Sequence, residues 1–77
     1  VSGYRLDVPE LYRLLDTQRR ARGMSWRDVA EAVGLSPSTL TRLRHNHAPD
    51  AHGLVSLLVW LDMDTDICRI VQPREEP

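Results

Sequence analysis

The 77-residue chain is 42% apolar and 27% charged, which fits one modest globular core and excludes a disordered chain. Its longest apolar run, Leu57 to Leu61, is far too short to span a bilayer, and Val1-Ser2-Gly3-Tyr4 is not a secretory leader, so a cytoplasmic protein is expected. The formal net charge is −1, but the two ends of the chain differ in sign. Residues 1–47 hold eight Arg against five acids, a net of +3, and residues 48–77 hold two Arg against six acids, a net of −4. The field is bipolar, with its positive pole on the N-terminal part. Every cation is Arg, a residue suited to two-pronged contacts with phosphate or guanine.

Cys68 is the only cysteine, so an intramolecular disulfide is excluded; a half-buried apolar role is expected for it. His45, His47 and His52 do not form a metal-ligand pattern with acids or cysteine, and neither a metal nor a cofactor is expected.

The first helix starts at Asp7, a residue suited to the N-cap, with Pro9 in the first turn and Glu10 placed to close a capping box. Its buried stripe is Val8, Leu11, Leu14 and Leu15, with Gln18 at the edge. It ends in Arg19, Arg20 and Arg22, which oppose the negative end of the helix dipole, before Gly23. The second helix starts at Ser25, with Asp28 at the reciprocal box position and Met24 facing Val29 as a hydrophobic staple. Val29, Ala30 and Val33 form its apolar face, and Gly34 stops it.

The third helix repeats this start: Ser36 is the cap, Pro37 takes the first helical position, and Leu35 faces Leu40. Leu40 and Leu43 are its only apolar anchors, and the segment from His45 to Pro49 ends it. The fourth runs from near Asp50 to about Leu61, with Leu54, Leu57, Leu58 and Leu61 on one stripe. A shorter fifth helix is expected over about Asp66 to Val71. No segment carries a strand signal, and no repeat or linker divides the chain. The expectation is an all-α, four- to five-helix single domain over 1–77, with its folded body at about 6–71 and a disordered tail at 72–77.

The informative feature is the pair of short helices around Gly34-Leu35-Ser36. A helix-turn-helix needs a small residue where the helices cross, a turn residue tolerant of positive φ, and few anchors in the second helix. Ala30, Gly34 and Leu40/Leu43 supply these in order. At about 100° per residue, Ser38, Arg42 and His45 point away from the anchors, with Thr41 beside them. Such a stripe can read base edges. Ser36, Pro37 and Thr39 lie at the helix start, where free N–H groups favour phosphate or the first base.

The pattern Ala30-x3-Gly34-x-Ser36-x3-Leu40-x2-Leu43, followed by Pro49 and the leucine-rich helix, resembles the Cro/phage-repressor type of helix-turn-helix over residues 24–64. The resemblance implies a lambda-repressor-like fold, double-stranded DNA as partner, and base-reading positions at Pro37, Ser38, Thr39 and Arg42. It also implies a nucleoid-associated bacterial or phage protein. Trp26 stands where members commonly have a phosphate-touching Gln, and Arg44-His45-Asn46 stands where many have Glu-Arg-Gly; the Trp26 indole can still donate one hydrogen bond. Arg19, Arg20, Arg22, Arg27 and Arg44 are candidate backbone contacts.

On the fourth helix, Val55 and Val59 lie beside the leucine face and Trp60 on its other side. They either cover the core with the fifth helix or join Ile67, Ile70 and Val71 in a two-fold homodimer contact, which would set two recognition helices ~34 Å apart. The function expected is a sequence-specific DNA-binding regulator of transcription. The alternative is a protein-interaction module that keeps the fold and binds a partner through its acidic or apolar C-terminal half. An enzyme is not expected, because no nucleophile–base pair or phosphate loop is present.

Overall fold

The computed structural model describes residues 3–62 and 67–73. Four α-helices follow one another: α1 (Val8–Ala21), α2 (Trp26–Val33), α3 (Pro37–Arg44) and α4 (Ala51–Leu61). A short strand, β1 (Tyr4–Leu6), precedes them, and a 3-10 turn (Ile67–Ile70) leads into a second strand, β2 (Val71–Pro73). The architecture is mostly helical, as expected, around one core. That core is Val8, Leu11, Leu14 and Leu15 of α1, Val29 and Ala30 of α2, Leu40 and Leu43 of α3, Leu57 and Leu61 of α4, and Ile70. Leu54 and Leu58 are only half-buried, so α4 rests on a narrower stripe than its leucine spacing suggests.

The caps of the four helices are short-range hydrogen bonds. Ser25 Oγ accepts from Asp28 N and the Asp28 carboxylate accepts from Ser25 N, at 3.1 and 3.0 Å, closing the expected capping box. Ser36 accepts from Thr39 N, and Asp50 accepts from Gly53 N at 2.7 Å. All four helix exits turn left-handed, at Gly23 (φ 65°), Gly34 (φ 73°), Asn46 (φ 66°) and Asp62 (φ 58°). In the first three exits two backbone N–H groups return to the last-turn carbonyls, as in Gly34 to Glu31 and Leu35 to Ala30. Asn is among the few side-chain residues that adopt this conformation readily, which explains how it serves at the third exit.

The structure corrects the expected organisation at both ends. β1 and β2 pair antiparallel, with Tyr4 opposite Pro73, Arg5 opposite Gln72 and Leu6 opposite Val71. Gln72 and Pro73 are therefore ordered strand, not tail, whereas 74–77 lie outside the described residues. The expected fifth helix is a single 3-10 turn, because Val71 leaves it to pair with Leu6. The start of that expected helix at Asp66, and the side chains of Ile67 and Cys68, lie outside the described residues.

The same pairing rewires the first cap. Asp7 accepts from Glu10 N as expected, but the expected box does not close. The Asp7 N–H donates instead to the Ile70 carbonyl at 2.6 Å, and its second carboxylate oxygen accepts from Gln72 at 2.8 Å. Glu10 is thereby released to pair with Arg13.

Open space surrounds the position a Cβ would take at Gly34, so only its positive φ demands glycine there. Gly34→Ala is expected to lower folding stability by about 1–2 kcal/mol, read as a shift in the urea midpoint at unchanged slope.

Candidate nucleic-acid interface

α3 packs against α2, whose Ala30 is buried, and Leu40 and Leu43 carry it on the core at 2% and 1% exposure. The rest of the helix is open: Ser36, Pro37, Ser38, Thr41, Arg42, Arg44 and His45 are exposed, and Thr39 is half-buried. The structure thus brings the eight expected residues of the helix and its cap onto one ridge. No acidic residue occurs between 36 and 49. Among the described residues, neither Arg42 nor Arg44 forms an ion pair.

Hydrogen bonding separates the ridge residues by what they have left to offer. Ser36 Oγ lies 3.0 Å from both Ser38 Oγ and Thr39 Oγ1, so those hydroxyls form a small network over the helix start. Thr41 Oγ1 donates to the Pro37 carbonyl at 3.2 Å. Its proton is committed, so the exposed Thr41 side chain has its methyl group and acceptor lone pairs left to offer. Arg42 and Arg44 make no side-chain hydrogen bond or ion pair among the described residues, so each has several donors to offer. The ridge stands between two small clefts. One, of about 190 Å³, is lined by Leu35, Thr39, Arg42 and the segment from His47 to Asp50. The other, of about 110 Å³, lies between Tyr12, Trp26 and the opposite flank of α3. Both fall below the roughly 300 Å³ at which small-molecule pockets begin.

The arginines at the end of α1 behave differently from their sequence expectation. Arg19 is clasped by Asp16 at 2.7 and 3.1 Å and donates to the Met24 carbonyl at 3.0 Å. Arg20 pairs with the other oxygen of Asp16 at 3.1 Å. Arg22 lies 4.4 Å over the Trp60 ring and donates to its carbonyl. Arg19 is half-buried with its guanidinium engaged by Asp16 and the Met24 carbonyl, whereas Arg20 and Arg22 remain exposed beside these contacts. Arg27, by contrast, is exposed and forms no ion pair among the described residues.

Trp26 packs its ring against α1. It stacks on Tyr12 with ring centroids 4.8 Å apart and planes 19° from parallel, while Arg19 lies 5.0 Å from its centroid. Sequence reasoning missed Tyr12. No local pattern marks a ring whose partner is fourteen residues away. The hydrogen bond from Arg19 holds the Asp16 carboxyl below the usual aspartate range, and the backbone N–H of Ser25 does the same for Asp28. Their contribution to stability is present above about pH 4 and is lost as pH falls through the lowered values.

Val55 and Val59 are 59% and 70% exposed, and with Ala32, Val33, Ser56 and Trp60 they form an uncharged patch between α2 and α4. Ile70 is fully buried in the chain's own core, so the expected dimer contact at that residue is corrected. Val71 is half-buried and occupied by β pairing with Leu6.

A family model described as Helix-turn-helix matches residues 15–57, more than half of the chain. The protein belongs to this family, of the Cro/phage-repressor type, a family of DNA-binding regulators. Curated proteins and solved structures give no match. Among the described residues, no helix is long and apolar enough to cross a membrane, and no group of three His, Cys, Asp or Glu side chains could hold a metal ion.

Because Arg19 joins α1 to Trp26 and to the Met24 carbonyl, Arg19→Ala is expected to cost about 1–2 kcal/mol of stability. Thermal unfolding followed by circular dichroism measures this, and Arg27→Ala should leave the midpoint within a degree or so of wild type.

Proposed function

We propose that the protein is a sequence-specific regulator of transcription that lays α3 in the major groove of double-stranded DNA and acts as a homodimer. The observation that carries this reading is the ridge itself: an acid-free helix held by two leucines, with the Arg42 guanidinium free to reach a base edge. A guanidinium suits the two acceptors that guanine presents in the major groove, and the methyl of the exposed Thr41 suits thymine. Ser36, Pro37, Ser38, Thr39 and His45 complete the contact surface, and Arg27 and Arg44 flank it as phosphate contacts. Such a protein acts at the nucleoid of a bacterium or on phage DNA.

The uncharged patch of Val55, Val59 and Trp60 supports pairing of two copies through α4. One small domain has few phosphate contacts and correspondingly weak binding at physiological salt, and a second copy doubles them. Exposed apolar surface of this kind also fits a protein partner, the reading that applies if DNA binding fails.

Selection from random duplexes is expected to enrich one sequence, and Arg42→Ala should then lose about 1–3 kcal/mol of discrimination at one base pair. Unaltered preference in that variant would remove Arg42 from the reading face, and no enrichment at low salt would favour the protein-interaction module. Sedimentation should find a dimer that Val59→Asp converts to monomer without loss of helix signal.

A further inference from the structure

The sheet that joins the two ends of the chain has two strands, so β1 is paired with β2 along one edge only. We propose that the outer edge of β1 accepts an extended segment of a partner protein as an added strand. The segment is apolar opposite Tyr4 and Leu6 and acidic opposite Arg5, between them. This surface is independent of the DNA reading above.

The register fixes which way each backbone group points. In an antiparallel ladder, opposite residues alternate between pairs that exchange both hydrogen bonds and pairs that exchange none. The Asp7 N–H donates to the Ile70 carbonyl, one step beyond the Leu6 and Val71 pair. Asp7 with Ile70 and Arg5 with Gln72 are therefore the bonded positions. Pro73, opposite Tyr4, agrees with this, because it has no N–H to give to a bonded pair. The N–H and C=O groups of Tyr4 and Leu6 thus aim away from β2, and no other element takes them among the described residues. They are two donors and two acceptors at strand spacing. On the far edge of the sheet Pro73 removes a donor, which is a common way of blunting an edge, so β1 is the side left open.

The side chains of β1 select the occupant. Leu6 and Val71 are half-buried against the core, and Tyr4, on the same face of the strand, is 69% exposed. Apolar residues opposite Tyr4 and Leu6 extend that face. Arg5 lies on the other face, is exposed, and forms no ion pair among the described residues. Asp7, two residues along on the face of Arg5, already accepts from the Glu10 N–H and from Gln72. An acid on the incoming strand gives Arg5 an opposite charge directly across from it. The same charge disfavours a second copy of this chain. The antiparallel register that matches β1 residue for residue with itself sets two Arg5 guanidinium groups opposite each other.

The probe is a short acetylated and amidated peptide, threonine-valine-glutamate-valine-threonine, titrated into the whole chain and followed by amide NMR. Saturable shifts are expected at Tyr4, Arg5 and Leu6, with none centred on Val55 and Val59. The valines carry the backbone groups that face β1, and the glutamate N–H faces away. N-methylation of one valine should therefore weaken binding about tenfold, and N-methylation of the glutamate should leave it unchanged. Lysine in place of the glutamate should weaken binding about two- to tenfold, and Arg5→Glu should reverse that preference. Tyr4→Pro removes an outward N–H that β2 does not use, so it should weaken binding about tenfold while the thermal midpoint is kept. Binding that ignores the position of the methyl group, or that fails to prefer glutamate, overturns the proposal. So does an absence of shifts up to the solubility limit of the peptide. β1 amides that shift with protein concentration alone, and cease to do so in Tyr4→Pro, assign the edge to a second copy and overturn it as well. If Tyr4→Pro lowers the thermal midpoint, Arg5→Glu with the two peptides decides the matter, because the Arg5 side chain is exposed and outside the core. None of these measurements uses DNA, so the DNA reading stands or falls separately.

Discussion

The burial of Leu40 and Leu43 is the contact on which the arrangement depends. An eight-residue helix cannot sustain itself in water, because its nucleation cost exceeds the gain from so few internal bonds. α3 exists because its two leucines sit in the core shared with α1 and α2. Having only two anchors is also what leaves the rest of the helix exposed. A broader apolar face would have turned Arg42 or Thr41 toward the core and removed the ridge that can enter a groove.

A second constraint sets how α1 and α2 hold that ridge. Asp16 gathers Arg19 and Arg20, and Arg19 in turn reaches the Met24 carbonyl and lies over Trp26, which rests on Tyr12. Partly exposed ion pairs contribute little individually. Their weight here lies in geometry, since one guanidinium links the end of α1 to the start of α2. Within the basic cluster at the end of α1, Arg19 is thus engaged in scaffold contacts, while Arg20 and Arg22 stay exposed. Among the described residues, the cations of α2 and α3 without ion pairs are Arg27, Arg42 and Arg44, fewer than the charge count of the N-terminal half suggests. This reconciles a net negative chain with a DNA-facing surface: local charge and exposure at the ridge matter more than the total.

The ends of the chain depend on each other in a way that local grammar could not anticipate. Asp7 and Glu10 have the spacing of a closed capping box, yet the Asp7 N–H is taken by Ile70 and its carboxylate by Gln72. The competing partners lie more than sixty residues away in sequence. Val71 faces a similar choice between extending a helix and pairing with Leu6, and the strand wins once β1 is in place. A three-residue strand has too few positions to show alternation, so neither strand left a readable trace in the sequence.

The legible parts were those governed by interactions within about five residues. Helix starts at Ser25, Ser36 and Asp50, the left-handed exits at Gly23 and Gly34, and the inward stripe through Leu11, Leu15, Leu40 and Leu43 all follow from short-range hydrogen bonds and helical periodicity. So does the exposed face carrying Ser38, Thr41, Arg42 and His45, since fixing two anchors on a helix fixes its opposite side. Only the tertiary structure decided which arginines are engaged across elements, where Trp26 rests, and that Ile70 belongs to the core. Each of these depends on groups brought together from separate elements, where distance in space is unrelated to distance along the chain.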